Sequence, residues 1–258
     1  MNQEGYSMFV LNFAKFKKAS KNICISIAIL LLILAIIHFL KAILQEHTVA
    51  ASSEFLESTS STLLKHGVIV VDAGHGEPDG GAVSADGVKE SDLNLQIALK
   101  LEDALLEEGI DVVMTRQDEN NIAPPEKQSS IREMKVADID KRIEITNSSD
   151  ADMLISIHMN QFSASQYRGW QTFYQKGSEE SKRIAESIQE EIKKSVQREN
   201  SRTALKIENI KLIDHAKIPA VIVECGFLSN EEEKNLLQQE DYQEKLVRGI
   251  VNGILKLY

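Results

Sequence analysis

Four ionisable residues stand where an apolar run gives way to a loop, the place at which open parallel sheets gather their ligands. His75 lies in IVVDAGHGEPDGGAV just past the run Val68–Val71, and Glu90 closes the glycine-rich stretch that follows. His158 ends MLISIH, and Glu224 follows AVIV in AVIVECGF. An ionisable group in apolar or glycine-rich surroundings needs a partner or a purpose. Two imidazoles and a carboxylate around an open fourth position are the donor set of a catalytic zinc site. Such a metal lowers the pKa of its water from about 15.7 to about 7. A further carboxylate is then needed to take that proton and pass it to a leaving nitrogen. The set His75, Glu90, His158 and Glu224 supplies all of these parts. Each residue also has an ordinary structural explanation: a hydrogen-bonded histidine at a strand end, a helix-start acid favoured by the macrodipole for Glu90, and a buried ion pair for Glu224. The scattered spacing does not decide between the two accounts.

Supporting residues surround these four. Gly74, Gly76, Gly80 and Gly81 let backbone approach a ligand closely, or simply turn the chain. Asn160, two residues beyond His158, orients a ligand, meets substrate or caps a loop. Arg116 and Arg142 suit a substrate carboxylate or a salt bridge at an element end. Trp170 reads as core, Cys225 as a small core residue rather than a nucleophile, and His66 and His215 as polar surface. The acids Glu231, Glu232 and Glu233 read as a solvated helix start.

The elements that must carry these residues alternate. Val68–Val71 is a β-branched run expected to be buried on both faces. A helix follows from about Ser91 to Glu108, with Leu93, Ile97, Leu101 and Leu105 spaced by four and Gly109 closing it. Further strands are expected at Ile110–Thr115, Met153–His158, Trp170–Tyr174, Ile210–Ile213 and Ala220–Val223. Further helices are expected at Asp138–Ser148, Ser178–Gln197, Asn230–Leu237 and Tyr242–Tyr258, with Ser229 and Glu232 as a capping box. The pattern is that of a single α/β domain with a mainly parallel, twisted sheet flanked by helices.

Ahead of that domain, residues 23–40 (ICISIAILLLILAIIHFL) hold no formal charge and as a helix span roughly 27 Å, near the ~30 Å of a bilayer core. Lys15, Lys17, Lys18 and Lys21 precede the run, which orients the N-terminus to the cytoplasm and the remainder outside. The expected organisation is a basic N-terminus at 1–22, a transmembrane or signal-anchor segment at 23–44, a serine-rich linker at 45–66 and the catalytic domain at 67–258. A cleaved signal peptide is the alternative for the apolar run. The chain of 258 residues carries a net charge of −10, and all of its excess acid lies beyond residue 50. A domain so acidic lacks the basic footprint of a nucleic-acid binder. Cys24 and Cys225 are too far apart in sequence to imply a disulfide framework.

The blocks IVVDAGHGEPDGGAV with Glu90 fifteen residues after His75, then VVMTR, SIHMN and PAVIVECGFLSN, resemble the zinc-dependent N-acetylmuramoyl-L-alanine amidases of the type-3 family. The resemblance runs from about Val68 to the C-terminus. It implies that His75, Glu90 and His158 bind Zn2+ and that Glu224 is the catalytic carboxylate. It further implies that the substrate is peptidoglycan, cut between the lactyl group of muramic acid and the L-alanine of the stem peptide. Arg116, Arg142 and Asn160 are then candidates for binding that substrate. Met159 and Cys225 depart from the family blocks without removing a ligand. A single catalytic domain behind one apolar segment, together with the run IAPPEKQSSIREMKVADIDKRI, resembles the spore-cortex branch of the family. That implies an extracytoplasmic, membrane-tethered enzyme, with room for a protein activator. A vegetative-wall amidase, a zinc peptidase acting within the stem peptide and an inactive wall-binding scaffold are the competing functions.

Overall fold

The computed structural model describes residues 67–257. The expected basic N-terminus, apolar anchor and linker lie outside the described residues. Among the described residues no helix is long and apolar enough to cross a membrane.

Six strands form one sheet: β1 (Val68–Ala73), β2 (Asp111–Met114), β3 (Met153–Asn160), β4 (Gln171–Gln175), β5 (Leu205–Ile207) and β6 (Ala220–Phe227), in the order β2-β1-β3-β6-β4-β5. All neighbouring pairs are parallel except β4 with β6. The mainly parallel α/β domain read from the sequence is therefore present. Its helices are α1 (Glu90–Glu107), α2 (Ile131–Ser148), α3 (Glu179–Val196), α4 (Lys211–His215), α5 (Glu231–Leu237) and α6 (Glu240–Leu255).

Strand alternation divides the core in two. One set of side chains, including Val71, Ile155, Ile157, Val221 and Val223, packs under α1, α3 and α6. The other set, including Val70, Leu154, Ala220 and Ile222, meets Leu212 and Ile213 of α4 and the half-buried Ile139 and Ile143 of α2. Burial on both faces is why the central strands read as unbroken apolar runs.

Several local features differ from what the sequence suggests. Ile210–Ile213 is not a strand: Leu212 and Ile213 sit on the short helix α4, a reminder that brief apolar runs carry no period. The helix expected from Asp138 starts at Ile131, capped by the Ser130 hydroxyl, which accepts from the Glu133 amide. Its buried row is Met134, Asp138, Arg142 and Thr146, polar enough to hide the helical period. β5 is a short edge strand with two exposed residues and no pattern to read. The cap of α5 is Asn230, accepting from Glu233 N, rather than Ser229. Glu233 itself is buried and accepts from the amides of Gly169 and Phe227, so it is no solvated acid.

Candidate active site

The four ionisable residues meet at the carboxyl ends of β1, β3 and β6, on the face that α2 and α4 cover lower down. His158 on β3 and Glu224 on β6 are direct register partners, so their side chains share that face. His75 follows β1 with φ +62°, a conformation unusual outside glycine. Glu90 opens α1 behind the loop, buried at 4% exposure.

Among the described residues, His75, Glu90 and His158 form a group that could hold a metal ion, with one ligand atom from each lying within 4.8 Å of the others. Glu90 Oε1 is 2.9 Å from His158 Nδ1 and 3.3 Å from His75 Nε2. The carboxylate is fixed from behind by the amides of Met159, at 3.1 Å from Oε1, and Ala82, at 2.8 Å from Oε2. Burial penalises its charge, but hydrogen bonds with His158 and His75 outweigh that and hold its pKa far below the ordinary carboxylate range. At His75 burial works against the proton, while hydrogen bonds to Asp79 and Glu90 carry the pKa up to about 9.

The backbone is shaped around these side chains. A Cβ on Gly74 would lie 2.3 Å from His158 Cε1. One on Gly81 (φ +66°) would lie 2.6 Å from Glu90 Oε2 and 2.7 Å from His75 Cδ2. Both glycines therefore stand where a side chain would displace a candidate ligand, which is more than ordinary turn use.

Glu224 differs from Glu90 in every respect. No cation pairs with it among the described residues, and its Oε2 is fully shielded without a hydrogen-bond partner. The residue as a whole is half-buried, so Oε1 is the oxygen that can meet a ligand. Burial, the largest influence, pushes the carboxyl up to about 7, with His158 and His75 pulling down and Glu90 pushing up. An unpaired, desolvated carboxyl in that range suits a group that must both accept and return a proton near neutrality.

Of the two roles open to them, Arg116 and Arg142 take the structural one. Both are buried, and their guanidinium groups are spent on the protein. Arg116 donates to the carbonyls of Ala73 (2.8 Å), Gly74 (3.0 Å), Ser91 (2.8 Å) and Asp118 (2.7 Å). Arg142 donates to Asp138 Oδ2 (2.8 Å), Asp72 Oδ1 (2.6 Å), the Ala73 carbonyl (2.7 Å) and the His75 carbonyl (2.5 Å). They shape the loop that carries His75 rather than waiting for a substrate carboxylate. Asn160 lies at the end of β3, half-buried, in register with Phe227. Trp170 and Cys225 are buried core, as their surroundings in sequence suggest.

Sequence reasoning missed the residues that orient the four. Asp79 accepts from His75 Nδ1 at 3.0 Å and is itself held by Lys135 Nζ at 2.7 Å. Asp72 accepts from Thr115 Oγ1 (2.7 Å) and Ser156 Oγ (2.5 Å) as well as from Arg142. Burial opposes its charge, but Arg142 and these hydroxyls bring its pKa down to about 2. Asn94 donates to the Gly74 carbonyl at 3.0 Å. Asp72 and Asp79 stand in the same block as His75, so a carboxylate four residues past a candidate ligand was the available signal. A cleft of about 280 Å³ opens beside His75 and His158, with Asp72 and Ser156 at its floor and Ile139 and Ile210 on its wall.

Comparison with known proteins gives this geometry a setting. The family model for N-acetylmuramoyl-L-alanine amidase matches residues 69–256. The germination-specific N-acetylmuramoyl-L-alanine amidase of Bacillus subtilis is 36% identical over 191 residues, covering 74% of this chain and 79% of that protein. The CwlD amidase of Clostridioides difficile, solved in complex with the GerS lipoprotein, superposes with a TM-score of 0.72 at 41% identity, over 74% of this chain and 97% of that one. An N-acetylmuramoyl-L-alanine amidase of Clostridium difficile 630 gives a TM-score of 0.64 at 31% identity, over 73% and 94%.

Proposed function

Given that this chain belongs to the N-acetylmuramoyl-L-alanine amidase family, we propose that His75, Glu90 and His158 are its zinc ligands and Glu224 its catalytic carboxylate. The reaction is hydrolysis of the amide between the muramic acid lactyl group and the stem-peptide L-alanine. The observation that carries the assignment is the convergence of three ligand atoms within 4.8 Å beside an unpaired, shielded oxygen of Glu224. The donor set fits the metal: two imidazoles, one carboxylate, a carboxylate behind one imidazole as zinc-bound histidines prefer, and glycines where side chains would intrude. When bound, zinc supplies Lewis acidity and makes a coordinated water more acidic.

The protein's own groups do the rest. Asp79 fixes the orientation of His75 through Nδ1 and leaves Nε2 facing Glu90. The amides of Ala82 and Met159 keep Glu90 from rotating. Glu224 takes the proton of the attacking water and delivers it to the departing nitrogen, because an amide nitrogen leaves poorly unless protonated. Glu90, held ionised by its neighbours, is unsuited to that exchange, and this supports the division of roles between the two glutamates.

The substrate we infer is spore-cortex peptidoglycan, supported by likeness to the germination-specific and CwlD amidases. The enzyme then acts outside the cytoplasm, with residues 23–44 as its membrane anchor, 45–66 as the tether and 67–258 as the catalytic domain. The lipoprotein bound to the CwlD amidase supports a protein activator for this chain also. Two measurements test the proposal. Zinc analysis of His158→Ala should find most of the metal gone, and stoichiometric zinc there would overturn the ligand set. Cortex from spores lacking the gene should lose muramic δ-lactam, and unchanged cortex would overturn the cortex assignment while leaving the amidase in place.

A further inference from the structure

The strand that carries Glu224 does not end there. His158 pairs with Glu224, yet Asn160 pairs with Phe227, so β6 spends three residues where β3 spends two. In a regular strand, residues three apart face opposite ways. The extra residue of this bulge turns Phe227 onto the same face as Glu224 and Asn160. There it forms the base of a small aromatic assembly. Phe162 stacks on it with centroids 5.8 Å apart and planes 25° apart, and Tyr167 stacks at 6.2 Å and 29°. Phe162 and Tyr167 also touch each other, at 5.2 Å.

Phe227 is fully buried, whereas Phe162 and Tyr167 are 51% and 43% exposed, so the upper rings face water. Their loop is held in place: Phe162 N donates to Ser229 Oγ at 3.2 Å, and Asn230 Nδ2 to the Ser165 carbonyl at 2.8 Å. Arg202 closes the assembly with its guanidinium 4.7 Å from the Phe227 centroid. It is aimed by Gln171 Oε1 at 3.0 Å and the Arg168 carbonyl at 3.1 Å, and Gln171 is the register partner of Glu224 across β4. Among the described residues Arg202 makes no ion pair.

We propose that Phe162 and Tyr167, backed by Phe227 and Arg202, form a glycan subsite that stacks a sugar ring of the peptidoglycan strand next to the muramic acid whose amide is cut. The inference rests on the amidase reading. The scissile bond hangs from a sugar, so the strand must pass within a ring or two of Glu224. Phe162 lies four residues beyond His158, hence no more than about 14 Å away along the chain. Exposed aromatic faces match the carbon faces of a pyranose, and an unpaired guanidinium donates to hydroxyl and acetamido oxygens. Two rings offer the face of one sugar, far short of the roughly 800 Å² per side that a stable protein partner needs.

The test is binding to the full-length chain of two probes: a peptide-free tetrasaccharide of alternating N-acetylglucosamine and N-acetylmuramic acid, and the sugar-free stem tetrapeptide. Phe162→Ala, and separately Tyr167→Ala, should weaken the tetrasaccharide about tenfold and shift the tetrapeptide less than twofold. Tyr167→Phe should bind the tetrasaccharide as the parent does. Three results would overturn the subsite: no tetrasaccharide binding by the parent, equal weakening of both probes, or no change in either. If the amidase reading itself fails, the parent leaves the lactyl–alanine amide uncut, a separate outcome from any of these.

Discussion

Replacing Glu224 by Gln separates what this carboxyl does for the reaction from what it does to the fold. In the metal-free chain, burial raises its pKa from the ordinary 4.5 to about 7. A carboxyl with a raised folded pKa stabilises the protein in its protonated form, so that contribution is complete below about 4.5 and is lost as pH rises through about 7. At about 1.36 kcal/mol per pKa unit, the loss amounts to about 3 kcal/mol by pH 8. Gln cannot titrate. Glu224→Gln should therefore gain stability on its parent across that interval by up to about 3 kcal/mol, less roughly 1 kcal/mol for an imperfectly paired buried amide. At roughly 2–4 °C per kcal/mol for a domain of this size, the gain in melting temperature is about 4–8 °C. Calorimetry of the chelated proteins at pH 5 and pH 8 reads it directly. The zinc-loaded variant should keep its metal and lose about 10²–10⁴-fold in amide cleavage. In the loaded parent a nearby cation favours the carboxylate, so the acid limb of kcat/KM should fall below the metal-free midpoint. A melting difference identical at the two pH values would refute the claim of a desolvated, titrating Glu224. Near-normal turnover would refute its catalytic role.

Three further substitutions probe the frame around the site. Gly74→Ala should leave the melting temperature close to parental while weakening zinc, because its Cβ must push the His158 ring from a position only 2.3 Å away; a zinc titration that matches the parent would show the approach to be irrelevant. Arg142→Lys loses the fork that joins Asp72, Asp138 and the His75 carbonyl, with an expected cost of about 3–5 kcal/mol in urea unfolding and a roughly 10–100-fold weaker zinc affinity; unchanged affinity would assign Arg142 to stability alone. Gly253→Ala adds helix propensity to α6, yet its Cβ would meet Ile188 Cα of α3 at 2.6 Å. Overpacking against backbone should win, with about 1–3 kcal/mol lost in urea unfolding, and a gain in stability would mean the helices separate freely.

How much of this was legible depended on whether a residue's surroundings are local in sequence. The central strands announce themselves because both faces are apolar, and the four ionisable residues stand out by interrupting those runs. The start of α2 was hidden because only Met134 of its first two turns points inward and the row continues as Asp138 and Arg142, the latter buried through partners about 70 residues away in sequence. Arg142 shows the same limit in another form: an arginine near a site suits a substrate carboxylate or a salt bridge, and only the fold reveals that Asp72, Asp138 and the carbonyls of Ala73 and His75 take its donors. The bulge that brings Phe227 to the site face leaves no trace in the sequence beyond Gly226, since register is a property of two strands.

Read across the sheet, the registers show why the chemistry sits where it does. On the face toward α2 and α4, Val70, Leu154 and Ala220 form one row, all apolar. The next row is Asp72, Ser156 and Ile222, where Ser156 Oγ and Arg142 Nη1 both donate to the Asp72 carboxylate. The row after that is Gly74, His158 and Glu224. Each step of two residues toward the strand ends thus moves from core, to a satisfied polar floor, to the ionisable side chains of the candidate site. The floor matters energetically: a fully bonded network in low dielectric is rigid, whereas a partly bonded one is costly. Above that floor the Glu224 Oε2 is unpartnered, while Glu90 and His75 beside it are hydrogen-bonded. Gly74 completes the row by absence, since the space a side chain would fill there is taken by the His158 ring. In the metal-free chain it is burial without a partner that raises the Glu224 carboxyl to about 7, a range that suits a group asked to move a proton twice in one reaction.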